Sequence, residues 1–510
     1  MNFTPADPPP ARFNLARHCL AQSAAANPSR RALVVASDAD GPGEVWSFAA
    51  LEDRVLRLAE GFRALNLDPG ARVFMRMGNS ADYAFVFFAL NAAGLVPIPA
   101  SALLSEAEVA FMISNSRAAA IVTDGTLPLP PLDDSIEIIG PAELDRMKAG
   151  PRGPYADTAR EDPAFLIYTS GTTSRPKGVL HAQRSVWGRR PMVEGWYGYR
   201  PDDVVLHSGA FNWTYTLGSG LFDPWANGLT AIVYTGPKDI SVWPRLIRRH
   251  GATLMASVPT LYRQMLKHCD LSPGRLGGLR HGLCAGESLP AQLALAWRER
   301  TGTMLYEALG MSEISTYVSA SPKVAPRLGS AGKPQAGRCV AILDVAGGTT
   351  PLPPGQRGLI AVHRSDPGLM LGYWERPEEE AQVFRGEWFV GGDLGRLDED
   401  GYLHFEGRND DLMNAFGYRV SPLEVEAVLA RHPSVAEAAV VEIKVSAEVS
   451  IIAGFVVAAA GAQIDVAALK QFAATELAAY KQPRELYVVA ELPRTANGKV
   501  QRRALAGLVG

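Results

Sequence analysis

Between Tyr168 and His181 the chain reads YTSGTTSRPKGVLH, and Thr169, Ser170, Thr172, Thr173 and Ser174 set five hydroxyls around Gly171. Pro176 then leads into Lys177 and Gly178. These residue types suit a phosphate. Glycine lets the backbone approach an anion closely, successive N–H groups can form a concave nest, hydroxyls donate hydrogen bonds, and lysine brings a mobile positive charge. A Ser/Thr/Gly cluster by itself is also the composition of an ordinary loop. Here Phe165, Leu166 and Ile167 precede it and read as a buried strand, which puts the loop at a strand end. A Walker A loop is excluded by spacing: counted from Gly171 it needs glycine at 176 and Ser or Thr at 178, where this chain has Pro176 and Gly178.

The elements that must position this loop are read from periodicity. From Ser47, a plausible cap, Leu51, Val55, Leu58, Phe62 and Leu65 recur at helical steps. A strand over Ala71 to Met77, a buried helix over Ala81 to Ala93, a short strand over Val96 to Pro99, a helix over Glu106 to Ile113 and a strand over Ala119 to Thr123 follow. Such alternation predicts an α/β fold with largely parallel sheets. Leu127 to Pro154, rich in proline and aspartate, reads as a loop-rich connection. Gly282 to Leu289, GLCAGESL, reads as a strand entering a glycine turn, with Glu287 in the first turn of a following helix. Trp388 to Glu406 alternates into paired strands around a turn at Asp398 to Gly401. Over the last hundred residues, a helix from Ser421-Pro422 to about Leu429 precedes strands Val435 to Ile443 and Ser450 to Val457. A helix Asp465 to Ala479 and a strand Glu485 to Leu492 complete a small α+β domain.

At 510 residues the chain is long enough for two to four domains or subdomains. Lys+Arg 50 against Asp+Glu 53 leaves a net charge of -3, so no global field favours nucleic acid or an anionic membrane. Cys19, Cys269, Cys284 and Cys339 lack metal-ligand spacing and fit reduced thiols in a cytoplasmic protein. The N-terminus shows no apolar signal region, and the most apolar run, Phe85 to Leu95, is well short of the roughly 20 residues of a spanning helix.

The Tyr168 to His181 segment resembles the phosphate loop of the adenylate-forming enzymes, the superfamily of acyl- and aryl-CoA ligases, peptide-synthetase adenylation domains and luciferases. Further segments resemble other motifs of that superfamily in the same order, so the resemblance covers most of the chain, and it is closest to medium-chain acyl-CoA or aryl-CoA ligases. It implies a large N-terminal domain over 1–409 and a small mobile lid over 410–510. ATP, Mg2+ and CoA would act with a small carboxylic acid, without nucleic acid or an integral membrane segment, and a homodimer is compatible with it. Thr169, Ser170, Gly171, Thr172, Thr173 and Lys177 would hold ATP phosphates. Trp213 matches the aromatic that packs on the acid, and Gly286 and Glu287 match a segment lining the adenine and acyl sites. Glu307, Ala308, Leu309 and Ser312 fall in the adenine segment, where Leu309 replaces the usual stacking aromatic and Ser312 the usual Thr. Glu313 matches the magnesium carboxylate, a hard oxygen ligand. Gly310 stands where acetate-specific relatives place a Trp, which implies an open acyl pocket. Asp393 matches the ribose-binding aspartate, Arg408 a ribose or phosphate contact, and Asp410 the hinge of the lid. Gly417, Tyr418 and Arg419 match the CoA tunnel, and Lys499, in the turn Asn497-Gly498-Lys499, matches the catalytic lysine. The implied reaction is AMP-forming activation of a medium-chain, branched or aryl acid and its transfer to CoA. Loading of a carrier-protein pantetheine, or a degenerate member that binds without turnover, are the alternatives.

Overall fold

The structure is a computed structural model that describes residues 7–169, 176–237, 239–272, 274–409, 413–415, 418–444, 450–495 and 500–508. Of the expected site residues, Ser170, Gly171, Thr172, Thr173, Asp410, Gly417 and Lys499 lie outside them. Contacts divide the chain into two compact units, Met1–Cys339 with His363–Glu387, and Val340–Val362 with Trp388–Gly510.

The first unit is built on a nine-stranded sheet in the order Lys333–Pro334, Ser315–Ser319, Met304–Met311, His281–Ala285, Leu254–Ser257, Val204–His207, Thr230–Tyr234, Arg31–Ala36 and Glu44–Ser47. The six strands from Met304–Met311 to Arg31–Ala36 run parallel, and antiparallel strands close both edges. A second, parallel sheet has the order Val96–Pro99, Arg72–Arg76, Ala120–Thr123, Glu137–Ile139. This is the expected α/β class. The helix Phe48–Ala64 is capped by Ser47, whose side chain accepts from Ala50 N, and Ser105 forms a capping box with Glu108 before Glu106–Ser116.

The helix Ala81–Ala93 buries every residue except Asp82 and Ala93. A helix apolar all round belongs inside a core. Its Phe87 lies 5.9 Å from Phe165 and its Phe88 4.8 Å from Trp225, ring centre to ring centre, so the strand that leads into the phosphate loop is anchored on the interior. That strand, Pro163–Thr169, forms an antiparallel hairpin with Lys177–Ala182, and Gly372–Tyr373 adds a third, antiparallel strand.

One stretch departs from expectation. Within 127–154 the chain forms the strand Glu137–Ile139 and a nine-residue helix, Pro141–Ala149. That helix buries only Leu144 and Met147, too sparse a stripe to show among prolines and acids. Met147 earns its burial at Gly61 of the helix Phe48–Ala64, where a Cβ would stand 2.3 Å from the Met147 Cγ.

In the second unit, Val340–Leu343, Gly358–His363, Trp388–Leu397 and Leu403–Arg408 are neighbours in one sheet. A second sheet of Val435–Lys444, Ser450–Ala458 and Glu485–Val488 carries the helices Pro422–Leu429 and Val466–Glu476 on an apolar core that includes Val425, Leu429, Leu469 and Ala473. These are the elements expected for the C-terminal α+β pattern.

Candidate active site

The hairpin fixes the two ends of the phosphate loop. Thr169 and Lys177 are backbone partners across it. Tyr168 is tied outward by its hydroxyl to Asn115 Oδ1 at 2.7 Å. Gly178 lets the strand pack closely, since a Cβ would stand 2.9 Å from Leu166 Cδ1 and 3.1 Å from Trp374 Cβ. The Lys177 ammonium lies 4.0 Å from the centre of the Tyr373 ring, within cation–π range. The hydroxyl of the same tyrosine donates to Glu313 Oε1 at 2.7 Å. The structure therefore brings Lys177 and Glu313 to opposite ends of one side chain, Tyr373, which sequence reasoning missed. Its only signal was an aromatic pair, Tyr373-Trp374, following Gly372.

Ser312 and Glu313 sit in the tight turn between Met304–Met311 and Ser315–Ser319. Three contacts hold that turn. His181 Nε2 lies 2.9 Å from the Ser312 carbonyl, so Nε2 carries the proton, and burial holds the imidazole down to about 3, neutral at physiological pH. Met370 N donates to the Glu313 carbonyl at 2.7 Å. Arg189 donates to Ser315 Oγ, and Ser315 itself has a left-handed φ of 80°. Arg189 is buried and paired with Asp223 through Nε at 2.9 Å and Nη2 at 2.7 Å, while the Tyr197 hydroxyl donates to the same carboxylate at 2.6 Å.

Gly310 has a structural account that its sequence reading lacked. A Cβ there would stand 2.5 Å from the Ser315 carbonyl oxygen and 2.6 Å from Thr316 Cα, at a register slip between Leu309 and Gly310. The glycine permits the two strands to approach, and its missing side chain points at backbone. The close approach gives Gly310 a packing reason of its own, beside its expected place at the acyl pocket.

Trp213 and Gly286 do meet. Gly286 has a φ of 93°, and a Cβ on it would be 3.3 Å from Cη2 and Cζ2 of the Trp213 indole. The indole packs edge-on to Tyr215 with ring centres 5.2 Å apart, against a cluster that includes Trp196, Ala285 and Ala308. Glu287 lies beyond the strand His281–Ala285, accepting from Thr260 Oγ1 at 3.3 Å. The following helix begins only at Ala291, so the expected first-turn position of Glu287 is wrong: Pro290 precedes the helix and delays it. Glu307 is the backbone partner of Cys284 on the neighbouring parallel strand and accepts from Leu289 N at 3.0 Å. Burial pushes its carboxyl up to about 8, and the Leu289 N–H pulls the other way.

In the second unit, Asp393 is buried and is the backbone partner of Arg408, whose Nη1 lies 3.4 Å from Asp393 Oδ1. Gly392, with a φ of 84°, leaves room for that guanidinium; a Cβ would be 3.2 Å from Arg408 Nη2. Tyr418 pairs with Ala415 in a two-stranded ladder that also pairs Arg419 with Asn414.

Among the described residues no group of three or more His, Cys, Asp or Glu could hold a metal by itself. Glu313 is a hard oxygen donor with one oxygen engaged by Tyr373. That donor set fits Mg2+, which takes one or two carboxylates and completes its shell with water and phosphate oxygens.

A family model described as AMP-binding enzyme matches residues 20–374. The chain belongs to this family. It is an acid–thiol ligase of the adenylate-forming superfamily, and a second model, AMP-binding enzyme C-terminal domain, matches 424–499. The AMP-binding chain is 31% identical over 530 residues to benzoate–CoA ligase of Thauera aromatica, covering 98% of this chain and 97% of that one. It is 31% identical over 491 residues to the mitochondrial acyl-coenzyme A synthetase ACSM5 of Homo sapiens, covering 90% and 83%. It superposes on the anthranilate CoA ligase AuaEII in complex with anthranoyl-AMP with a TM-score of 0.87 at 27% identity, covering 98% of each chain.

Proposed function

We propose that the protein is an AMP-forming ligase that activates a medium-chain, branched or aryl carboxylic acid as an acyl-adenylate and transfers it to CoA. The observation that carries the acid class is the meeting of Trp213 with Gly286, an aromatic edge against a residue without a side chain. The pair would form one apolar wall of an acyl slot beside the strand that bears Ala308. The relatives named for benzoate and anthranoyl-AMP support an aryl acid within that class.

In the proposed reaction a carboxylate oxygen of the acid attacks the α-phosphorus of ATP. The bond to the bridging oxygen breaks and pyrophosphate leaves. Thr169, Ser170, Gly171, Thr172, Thr173 and Lys177 would bind the polyphosphate, and Glu313 would hold Mg2+, which neutralises polyphosphate charge when bound. Glu287, Glu307, Leu309 and Ser312 border the adenine, while Asp393 and Arg408 take the ribose and its phosphate. Lys499 would bridge the acid and the α-phosphate and stabilise charge that grows in the transition state. In the second half-reaction the 410–510 lid turns at Asp410 and presents the Gly417, Tyr418 and Arg419 face. The CoA thiolate then attacks the acyl carbonyl, forming the thioester and expelling AMP.

The test is ATP-dependent pyrophosphate release over short, medium, branched, aryl and dicarboxylic acids, with and without CoA, with thioester followed by mass spectrometry. A thioester from an aryl, branched or medium-chain acid supports the proposal. Acyl-AMP without CoA thioester moves the assignment to carrier-protein loading, and no pyrophosphate with any acid moves it to a binding protein.

A further inference from the structure

The segment Met370 to Trp374 touches both halves of the phosphate-handling site. Leu371 N donates to the Leu180 carbonyl at 2.7 Å and Trp374 N to the Gly178 carbonyl at 2.8 Å, which fastens it to the hairpin that carries Lys177. Met370 N donates to the Glu313 carbonyl at 2.7 Å, which fastens it to the turn. Between those anchors stands Tyr373, buried, with its own N–H directed to Glu380 Oε2 at 3.2 Å. Trp374 adds a further tether from its indole N–H to the Asn115 carbonyl at 2.9 Å.

We propose that Tyr373 is a positioning residue that sets the Lys177 ammonium with its ring face and the Glu313 carboxylate with its hydroxyl, so that one side chain fixes the spacing of the two charges that meet the nucleotide. The inference rests on the reading of Lys177 and Glu313 as the phosphate and magnesium contacts. Its physical content is divided between two parts of one residue. The phenol engages one carboxylate oxygen at 2.7 Å and thereby orients the other. The ring face, 4.0 Å from the ammonium, gives a long and otherwise mobile lysine a preferred place before any nucleotide arrives. Preorganised charge requires no rearrangement at the moment of reaction.

The two functions separate by mutation. Tyr373→Phe removes the hydroxyl and keeps the ring, while Tyr373→Leu removes both. ATP affinity is measured by calorimetry on the full chain in EDTA and again with saturating Mg2+, alongside thermal midpoints and steady-state thioester formation. For Tyr373→Phe we expect affinity in EDTA within about twofold of the parent, and a loss of about tenfold in the affinity gained on adding Mg2+, the size expected for one hydrogen bond to a charged group. For Tyr373→Leu we expect the same loss and a further drop of about threefold to tenfold in EDTA, from the missing ring face. If the leucine variant does not fold, Tyr373→Met, closer in reach, replaces it. A Tyr373→Phe variant with the parental gain from Mg2+ overturns the proposal, as do phenylalanine and leucine variants that are alike in EDTA. Glu313→Gln distinguishes the two levels. If it abolishes the gain from Mg2+ while Tyr373→Phe does not, only the role of Tyr373 fails; if it leaves the gain intact, the assignment of Glu313 fails and the proposal with it.

Discussion

Glu307→Gln isolates one buried proton. In the folded protein burial raises the Glu307 carboxyl from its ordinary 4.5 to about 8. Between those values the folded chain holds a proton that the unfolded chain has released, so stability falls as pH rises. The contribution is fully present below 4.5 and is gone once pH has passed about 8. The whole span corresponds to about 5 kcal/mol at 1.36 kcal/mol per pH unit, an upper figure because Glu307 keeps part of its surface toward solvent. Glutamine removes this dependence and keeps an Oε1 acceptor for the Leu289 N–H. The stability of the variant relative to the parent should therefore rise by about 2 kcal/mol between roughly pH 6 and pH 8. Paired denaturant titrations by tryptophan fluorescence across that range give the difference directly, and groups common to both proteins cancel. A difference that stays flat with pH means that Glu307 is already ionised in the native protein and that the burial argument is wrong. Adenylation at neutral pH should survive glutamine far better than alanine, which would release Leu289.

Four further outcomes are expected. Gly310→Ala should cost about 1–3 kcal/mol by overpacking against Ser315, measured by denaturant unfolding; a folded variant with a narrowed acid range supports its place at the acyl pocket, and an unchanged acid range assigns the glycine to packing alone. Gly286→Ala combines a left-handed backbone with contact on Trp213, and should cost about 1–2 kcal/mol and raise the KM for the acid more than that for ATP; equal changes in both would show that the slot is elsewhere. Asp223→Asn strips the partner from buried Arg189 and should lower stability by about 3–5 kcal/mol in thermal or denaturant unfolding, less when Arg189→Met accompanies it. Lys499→Ala should slow adenylation on the order of 10²–10³-fold and thioester formation from preformed acyl-AMP by less; equal losses would count against its role.

What was legible in the sequence was local. The helix from Ser47 declared itself because its apolar positions recur at helical spacing and its cap is adjacent, and the Trp388 hairpin because alternation and turn chemistry lie side by side. The supports of the site were illegible because they are made across the fold. Tyr373 reaches Glu313 over 60 residues, Arg189 reaches Ser315 over 126 and His181 reaches Ser312 over 131. Nothing in the spacing of a lone tyrosine, arginine or histidine announces such a partner. Gly310 shows a related case. Its position in a motif suggested room for substrate, and the backbone of a neighbouring strand, known only from the folded register, supplies a second reason for the missing side chain.

The sheet order also sets a timetable for synthesis. Arg31–Ala36 is an interior strand, flanked by Glu44–Ser47, which follows at once, and by Thr230–Tyr234. Arg31 and Thr230, joined by a hydrogen bond in the finished protein, are 199 positions apart. At about 5–20 residues per second the ribosome needs roughly 10–40 seconds to deliver the second of these strands after the first. Throughout that interval one edge of an apolar strand has no partner, a condition that favours pairing with another nascent chain. Slow codons placed before Thr230 would lengthen the exposure, and binding of a holdase chaperone to the emerging N-terminal two hundred residues would cover it.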